Sequence, residues 1–152
     1  MMVTVRFYDP SFEPDSGLTY SVITARYKGQ WIFVRHRMRK SFEIPGGHIE
    51  YNETADEAAG RELREETGAM NFNLWCVATY SVEKDGNTGY GRLFFAEVSV
   101  IGEIEENSEI DEVVFGTELP EDCFQRRSKK PSPLSTGLRG FLCRVRPAVA
   151  LP

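Results

Sequence analysis

Three glutamates near the middle of the chain are spaced so that a helix would bring their carboxylates together. Glu62, Glu65 and Glu66 stand at positions i, i+3 and i+4, and each helical residue advances by roughly 100° around the axis. Like charges on one helix face are destabilising unless something offsets them. A hard divalent cation does so, because Mg²⁺ and Mn²⁺ prefer carboxylate oxygens. On spacing alone, a solvated acidic helix face is the slightly favoured alternative.

A longer pattern around these glutamates reverses that balance. Residues 46–69 read GGHIEYNETADEAAGRELREETGA, with fixed intervals between Gly47, Glu53, Arg61-Glu62-Leu63, Glu65-Glu66 and Gly68. This segment resembles the signature box of the Nudix hydrolases. One departure is Ala69, where the family usually carries a bulky aliphatic residue. The departure weakens a packing contact and leaves every acidic position intact.

The resemblance implies a metal site and a fold. Glu65 and Glu66 look like the main ligands of Mg²⁺, with Mn²⁺ as an alternative ion, and Glu62 like a further ligand or the general base. The carbonyl of Gly46 is implied as another ligand. The implied fold class is α/β (α+β), a Nudix-type α/β/α sandwich with a mixed β-sheet. Glu53 and Arg61 resemble the supporting pair that orients the ligand helix by ionic contacts.

Charged residues on either side of the box are further candidates. The run Arg35–Lys40 is basic, and its Arg35 and Arg37 are predicted to contact substrate phosphate, because guanidinium groups suit phosphate geometry. A basic strand end that keeps the loop soluble is the alternative. Downstream, Glu109 is predicted to be catalytic, since the family commonly takes one more ligand or base from this acidic region. His48 is interpreted as a hydrogen-bonding loop residue rather than a ligand.

The elements that must position these residues can be predicted from patterning. A helix is expected over Thr54–Thr67, which is dense in good helix formers and stops at Gly68. The glycines and the proline of Ser41–Gly47 predict a turn or loop. Asp85-Gly86 suits a hairpin turn. Strand-like runs are Thr19–Tyr27, Gln30–Val34, Asn71–Val82, Tyr90–Val100 and Val113–Phe115.

Length and composition predict one domain over residues 1–152. Residues 125–136, QRRSKKPSPLST, have the composition of a mobile basic loop, and we expect early proteolysis there. A short helix is expected at about 138–146, because Leu138, Phe141, Leu142 and Val145 recur at helical spacing.

Charge and cysteine content limit the environment and the partners. The net charge of −5 gives no reason to expect non-specific binding to nucleic acid or to anionic membranes. The three cysteines are odd in number and widely spaced, which favours reduced thiols over a disulfide framework. The expected setting is cytoplasmic, the expected partner is a nucleotide-like small molecule, and a homodimer remains open.

The resemblance implies hydrolysis of a diphosphate linkage in a substrate of the form nucleoside diphosphate linked to X. A nucleoside triphosphate, including an oxidised one such as 8-oxo-dGTP, is the favoured substrate, cut to the monophosphate and pyrophosphate. Nucleotide sugars, dinucleoside polyphosphates and capped RNA are alternatives within the family. A non-catalytic nucleotide sensor is a further alternative, against which the intact acidic positions argue. A Nudix-fold isomerase is disfavoured because no cysteine lies near the box.

Overall fold

Residues 3–40 and 42–117 are described by a computed structural model of the chain. Within these residues, one helix and seven strands follow one another in the order β1 (Val3–Tyr8), β2 (Tyr20–Tyr27), β3 (Gln30–His36), β4 (Gly46–His48), α1 (Ala55–Thr67), β5 (Ala69–Lys84), β6 (Asn87–Ile101) and β7 (Ile110–Gly116). The predicted strands and helix are all present. Strand β1 was not predicted. The loop at 125–136 and the helix at 138–146 lie outside the described residues and stay predictions.

All seven strands belong to one mixed sheet. The strand order is β1-β5-β6-β2-β3-β7, with β4 attached to β2. Among the described strands, β2 and β6 pair in parallel and the other pairs are antiparallel. Strand β2 shares its other edge between two partners, since Arg26 and Tyr27 pair with β3, whereas Tyr20–Val22 pair with β4. Strands β3 and β4 therefore diverge beside β2.

The end of the predicted loop at Ser41–Gly47 is wrong, because Gly46 and Gly47 begin β4. Pairing with β2 uses backbone groups, so two glycines can be strand residues despite their low strand propensity. Close approach also favours glycine here. A Cβ at Gly46 would lie 2.7 Å from the carbonyl oxygen of Ser21.

The predicted hairpin is confirmed, with longer strands than the sequence indicated. Asp85 and Gly86 have φ of 51° and 79°, the left-handed backbone that a two-residue hairpin turn requires. Pairing continues to Lys84 and Asn87 on either side of this turn. At the far end of the hairpin, β5 begins at Ala69, directly after α1.

Helix α1 has the ends that its sequence predicts. The N-cap Thr54 accepts a hydrogen bond from the Glu57 amide (3.1 Å), and the Glu57 carboxylate accepts one from the Thr54 amide (2.9 Å). Gly68 ends the helix in the left-handed conformation, and its N–H donates to the carbonyl of Arg64. Both motifs satisfy backbone groups that a helix terminus would otherwise leave unpaired.

Two hydrophobic clusters cover the two faces of the sheet. Successive strand residues point to opposite faces, so Val22 and Phe33 belong to one cluster, and Ile23 and Ile32 to the other. The second cluster includes Ala55, Ala59 and Leu63 of α1 and packs the helix on the sheet. Alanine side chains are small, so the helix can approach the strands closely at this interface. This close packing holds the acidic residues of α1 beside β4.

Candidate active site

The three glutamates of α1 share one side of the helix but differ in exposure. The side chains of Glu62 and Glu66 are only 13% and 8% exposed, whereas that of Glu65 is 60% exposed. The helix spacing thus yields one buried carboxylate, Glu66, a half-buried one, Glu62, and an exposed one, Glu65. The charged form of Glu66 needs an offsetting positive charge, because burial of an unpaired carboxylate is costly.

The backbone of β4 lies directly against the carboxylates of Glu62 and Glu66. The amide of Gly46 donates to Glu66 Oε2 across 3.4 Å. At Gly47, a built Cβ would stand 2.2 Å from Glu62 Oε1, so any side chain there would displace this glutamate. The Gly46 carbonyl, expected as a ligand, therefore belongs to the strand that touches both carboxylates, and its ligand role stays a prediction.

Arg61 organises the acidic side of the helix. Its Nε and one terminal nitrogen donate to the two oxygens of Glu53 at 2.7 and 2.9 Å, a bidentate pair. The other terminal nitrogen donates to Glu62 Oε1 at 2.8 Å and to Glu65 Oε2 at 3.3 Å. A further bond reaches the backbone carbonyl of His48. Arg61 thus joins the loop before the helix to the helix itself, the geometry expected of a supporting pair with Glu53.

The electrostatics separate the supporting carboxylate from the buried pair. Hydrogen bonds from Arg61 and from the Glu50 amide lower the pKa of Glu53 to about 2. Burial, reinforced by the negative charge of Glu62, raises the pKa of Glu66 well above its ordinary value. Burial also raises the pKa of Glu62, although Arg61 opposes this shift.

The donor set fits a hard divalent cation. The adjacent carboxylates of Glu62 and Glu66, a third on the same helix side and a neighbouring backbone carbonyl are all oxygen donors of the kind that Mg²⁺ prefers. A cation would relieve the repulsion that raises the pKa of Glu66. Within residues 3–40 and 42–117, no three acidic, histidine or cysteine side chains are already grouped closely enough to hold an ion.

The acidic loop, residues 102–109, closes the other side of the site. A cavity of about 490 Å³ lies between this loop and the C-terminal half of α1, and its polar wall includes Glu62, Glu65, Glu66, Glu105 and Glu109. Glu109 is thereby brought to the same cavity as the helix glutamates, as its predicted role requires. Its side chain is 91% exposed, so it can reach a ligand in the cavity without a buried charge.

The two arginines predicted to contact phosphate have other partners in the structure. Arg35 pairs with Asp111 and Glu112 at 3.0 and 2.8 Å, and its guanidinium lies over the ring of Phe42. It extends on the sheet face opposite α1, because Phe42 belongs to the cluster on that face. Arg37 Nε donates to the carbonyl of Ser108 at 2.9 Å. Neither contact involves the buried glutamates, and both phosphate roles stay predictions.

Two residues beside the carboxylates were not predicted as site residues. His36 Nε2 lies 3.6 Å from Glu66 Oε1, and its Nδ1 lies 3.9 Å from Glu109 Oε2. Glu43 is 4% exposed and pairs through one oxygen with Arg39, while its other oxygen has no hydrogen-bond partner among the described residues. Strand alternation places His36 on the α1 side of β3, a signal that could have identified it once the strand was assigned.

Comparison with known proteins agrees with this architecture. The family described as NUDIX domain matches residues 16–130. A Bacillus subtilis (strain 168) protein named "Putative 8-oxo-dGTP diphosphatase YtkD" is 33% identical over 108 residues, which cover 71% of this chain and 66% of that protein, slightly under two thirds of its length. No helix in the described part of the chain is long and apolar enough to cross a membrane.

Solved structures extend the similarity over nearly the whole chain. A mutant of the Bacillus subtilis pyrophosphohydrolase BsRppH superposes with a TM-score of 0.71 at 27% identity, covering 99% of this chain and 93% of that one. A UDP-X diphosphatase superposes with a TM-score of 0.61 at 18% identity, covering 92% and 68%. At 18% identity the second likeness concerns the fold alone.

The fold and the site together define an α/β protein with a carboxylate-lined cleft between one helix and an acidic loop. The match over residues 16–130 and the curated relative show which proteins share it. The chain belongs to the Nudix family.

Proposed function

We propose that the protein is a metal-dependent pyrophosphohydrolase that cuts a diphosphate linkage in a nucleotide. The observation that carries this proposal is the adjacent carboxylate pair, half-buried Glu62 and buried Glu66, held against the glycine backbone of β4. Burial raises the pKa of both groups, so their charged forms are costly here without a cation to offset them. The names of the two Bacillus subtilis relatives, a diphosphatase and a pyrophosphohydrolase, support the same class of reaction.

The residues divide the work of phosphoryl transfer. Glu62, Glu65, Glu66 and the Gly46 carbonyl would hold Mg²⁺ or Mn²⁺. When bound, such an ion lowers the pKa of coordinated water and neutralises charge on phosphate oxygens. Glu53 and Arg61 fix the rotation of the ligand helix. Glu109 and Glu62 are the candidates for accepting the proton of the attacking water, because both border the cavity where the phosphates would lie.

A nucleoside triphosphate is the substrate we favour, cut to the monophosphate and pyrophosphate. A second cavity of about 300 Å³ is lined by Tyr20, Tyr80 and Val82 together with Lys84 and Asn87, so it offers aromatic and apolar walls with polar groups at the hairpin end. Such a lining suits a nucleobase. Burial raises the pKa of Tyr20 to about 12, and the negative charge of Glu66 adds to this shift. The choice of 8-oxo-dGTP rests on one relative's name.

A panel assay tests both levels of the proposal. The assay would compare kcat/KM for triphosphates, 8-oxo-dGTP, nucleotide sugars, dinucleoside polyphosphates and triphosphorylated or capped RNA. Reaction in ¹⁸O water would locate the attacked phosphorus. Faster turnover of any other class than of every triphosphate would contradict the triphosphate assignment alone. No turnover of any compound with Mg²⁺ or Mn²⁺ would contradict the hydrolase assignment and favour a nucleotide sensor.

Glu65→Gln and Glu66→Gln test the metal ligands directly. We expect each to lower kcat by several orders of magnitude, about 10³-fold, the upper end of the range for loss of one charge-stabilising group. Glu66→Gln should leave the metal-free fold intact, because it removes repulsion with Glu62. Glu57→Gln at the far end of α1 is the matched control. Near-normal turnover of either ligand variant at saturating Mg²⁺ would remove that residue from the ligand set.

A further inference from the structure

His36 lies between the ligand helix and the acidic loop. Its Nε2 is 3.6 Å from Glu66 Oε1 and its Nδ1 is 3.9 Å from Glu109 Oε2. The imidazole is 16% exposed, so its orientation is constrained by the surrounding residues rather than by water. One ring therefore has a nitrogen within 3.9 Å of each of two carboxylates that belong to different elements.

The same end of β3 also holds the backbone of the loop. The Arg37 amide donates to the Glu109 carbonyl at 2.8 Å, and Arg37 Nε donates to the Ser108 carbonyl at 2.9 Å. Ser108 in turn donates through its hydroxyl to the Glu65 carbonyl at 3.5 Å. Residues 36 and 37 thus contact the last two residues of the loop, which also reaches α1.

Strand alternation places His36 on the α1 side of β3, and the adjoining strand is irregular at the same point. The register between β3 and β7 shifts between Arg35 and His36, so that Arg35 pairs with Glu112 and His36 with Ile110. The extra residue of this bulge, Asp111, lies in β7, so the alternation of β3 continues to His36. Asp111, opposite the shift, pairs with Arg35, while His36 remains beside Glu66.

We propose that His36 is a positioning residue that fixes Glu109 relative to Glu66, and that Arg37 supports it by anchoring the loop backbone. The inference rests on the proposed function in taking Glu66 as a metal ligand. Groups that orient a metal ligand affect metal affinity although they do not touch the ion. Without His36, the exposed Glu109 side chain would sample positions away from the cavity.

A double-mutant cycle in the full chain tests this coupling. Mn²⁺ binding, followed by the electron paramagnetic resonance signal of the free ion, would be measured for wild type, His36→Ala, Glu109→Ala and the double variant. We expect His36→Ala to weaken Mn²⁺ binding by about tenfold. Glu109→Ala should weaken Mn²⁺ binding less in the His36→Ala background than in wild type. The two fold-changes should differ by about threefold or more. Additive effects would overturn the proposal.

Glu106→Ala is the matched control for Glu109→Ala, since Glu106 is an exposed acid of the same loop. Its effect should be the same with and without His36. A Glu106 coupling as large as that of Glu109 would indicate a general field effect and would overturn the specific contact.

Conservative variants separate positioning from packing. The amide nitrogen of His36→Gln can replace Nε2 beside Glu66, and that of His36→Asn can replace Nδ1 beside Glu109. We expect at least one of them to restore Mn²⁺ affinity to within about threefold of wild type, with kcat recovering and KM little changed. Failure of both to improve on alanine would overturn the proposal. If His36→Ala does not fold, His36→Gln and His36→Asn replace it in the double-mutant cycle with Glu109→Ala.

The metal-binding readout keeps this inference separate from the proposed function. A wild type that binds Mn²⁺ and hydrolyses no nucleotide would defeat the hydrolase assignment, while the cycle would still report on His36. Efficient hydrolysis together with an additive cycle would overturn the role of His36 and leave the hydrolase assignment standing.

Discussion

At the scale of single residues, Gly47 shows how little space separates β4 from the carboxylates. A Cβ there would stand 2.2 Å from Glu62 Oε1. We therefore expect Gly47→Ala to displace Glu62 and to lower kcat by about 100-fold, the scale of a 1 Å misplacement in an active site. Steady-state kinetics and Mn²⁺ affinity would measure the effect.

Gly60→Ala is the control for that substitution. Gly60 is a buried residue of α1. The nearest atom to a Cβ built there is the flexible end of Arg64, at 3.3 Å. Alanine in a helix interior is favoured over glycine by roughly 0.5–1 kcal/mol. Gly60→Ala should keep its activity and gain stability. Wild-type kcat in Gly47→Ala would show that Glu62 can move without consequence.

The pair of Glu53 and Arg61 predicts a specific dependence of stability on pH. The pKa of Glu53 falls from 4.5 to about 2 on folding, so its stabilising contribution is present above pH 4.5 and is lost as the pH falls towards 2. Urea unfolding in EDTA should show that the difference in the free energy of unfolding between wild type and Glu53→Gln shrinks as the pH falls through this window. A difference between the two proteins that stays constant from pH 6 to 2.5 would contradict the ionic role.

Part of the site could be predicted from the sequence, because helix periodicity depends on local order. The shared face of Glu62 and Glu66 follows from their spacing, and the family resemblance supplies Glu53 and Arg61. Strand alternation gives the face on which His36 lies, but its contact with Glu66 also requires β3 and α1 to be brought together by the fold, which no local pattern encodes. The ion pairs of Arg35 with Asp111 and Glu112 likewise depend on strand pairing.

At the scale of elements, the capping box of α1 should determine how firmly the ligand helix is held. Thr54→Ala removes the oxygen that accepts from the Glu57 amide, and we expect a loss of about 1 kcal/mol in the free energy of unfolding. Thr54→Ser retains the acceptor and should lose much less. Urea titrations would measure both, and equal losses would assign the effect to packing of the methyl group instead of to the cap.

The elements themselves differ in how well sequence predicts them. Helix α1 and the hairpin turn at Asp85-Gly86 are defined by local signals, namely caps and positive-φ residues. Strand β4 is assembled from glycines, which predict a turn, and exists because β2 pairs with it. The parallel pairing of β2 with β6 joins residues about 70 positions apart, as with Val22 and Leu93. Such pairing depends on the whole fold.

At the scale of the whole molecule, divalent cations should stabilise the fold. A ligand that binds only the native state adds about 2.7 kcal/mol when its concentration is 100 times its dissociation constant. We expect Mg²⁺ to raise the Tm of wild type and removal by EDTA to reverse the change. Glu66→Gln should show little response to Mg²⁺ because a ligand is missing. An equal rise in wild type and Glu66→Gln would locate the stabilising ion elsewhere.

The long hairpin also suggests an order of events during folding. Strands β5 and β6 are joined by two residues and pair from Lys84 and Asn87 outward to Ala69 and Ile101. Local pairing of this kind forms with a small loss of chain entropy, whereas contacts distant in sequence form slowly. We therefore expect the hairpin to form first and to provide the template on which β1 and β2 align. On this route the carboxylate-lined cleft is completed late, when β2 has brought β4 beside the glutamates of α1.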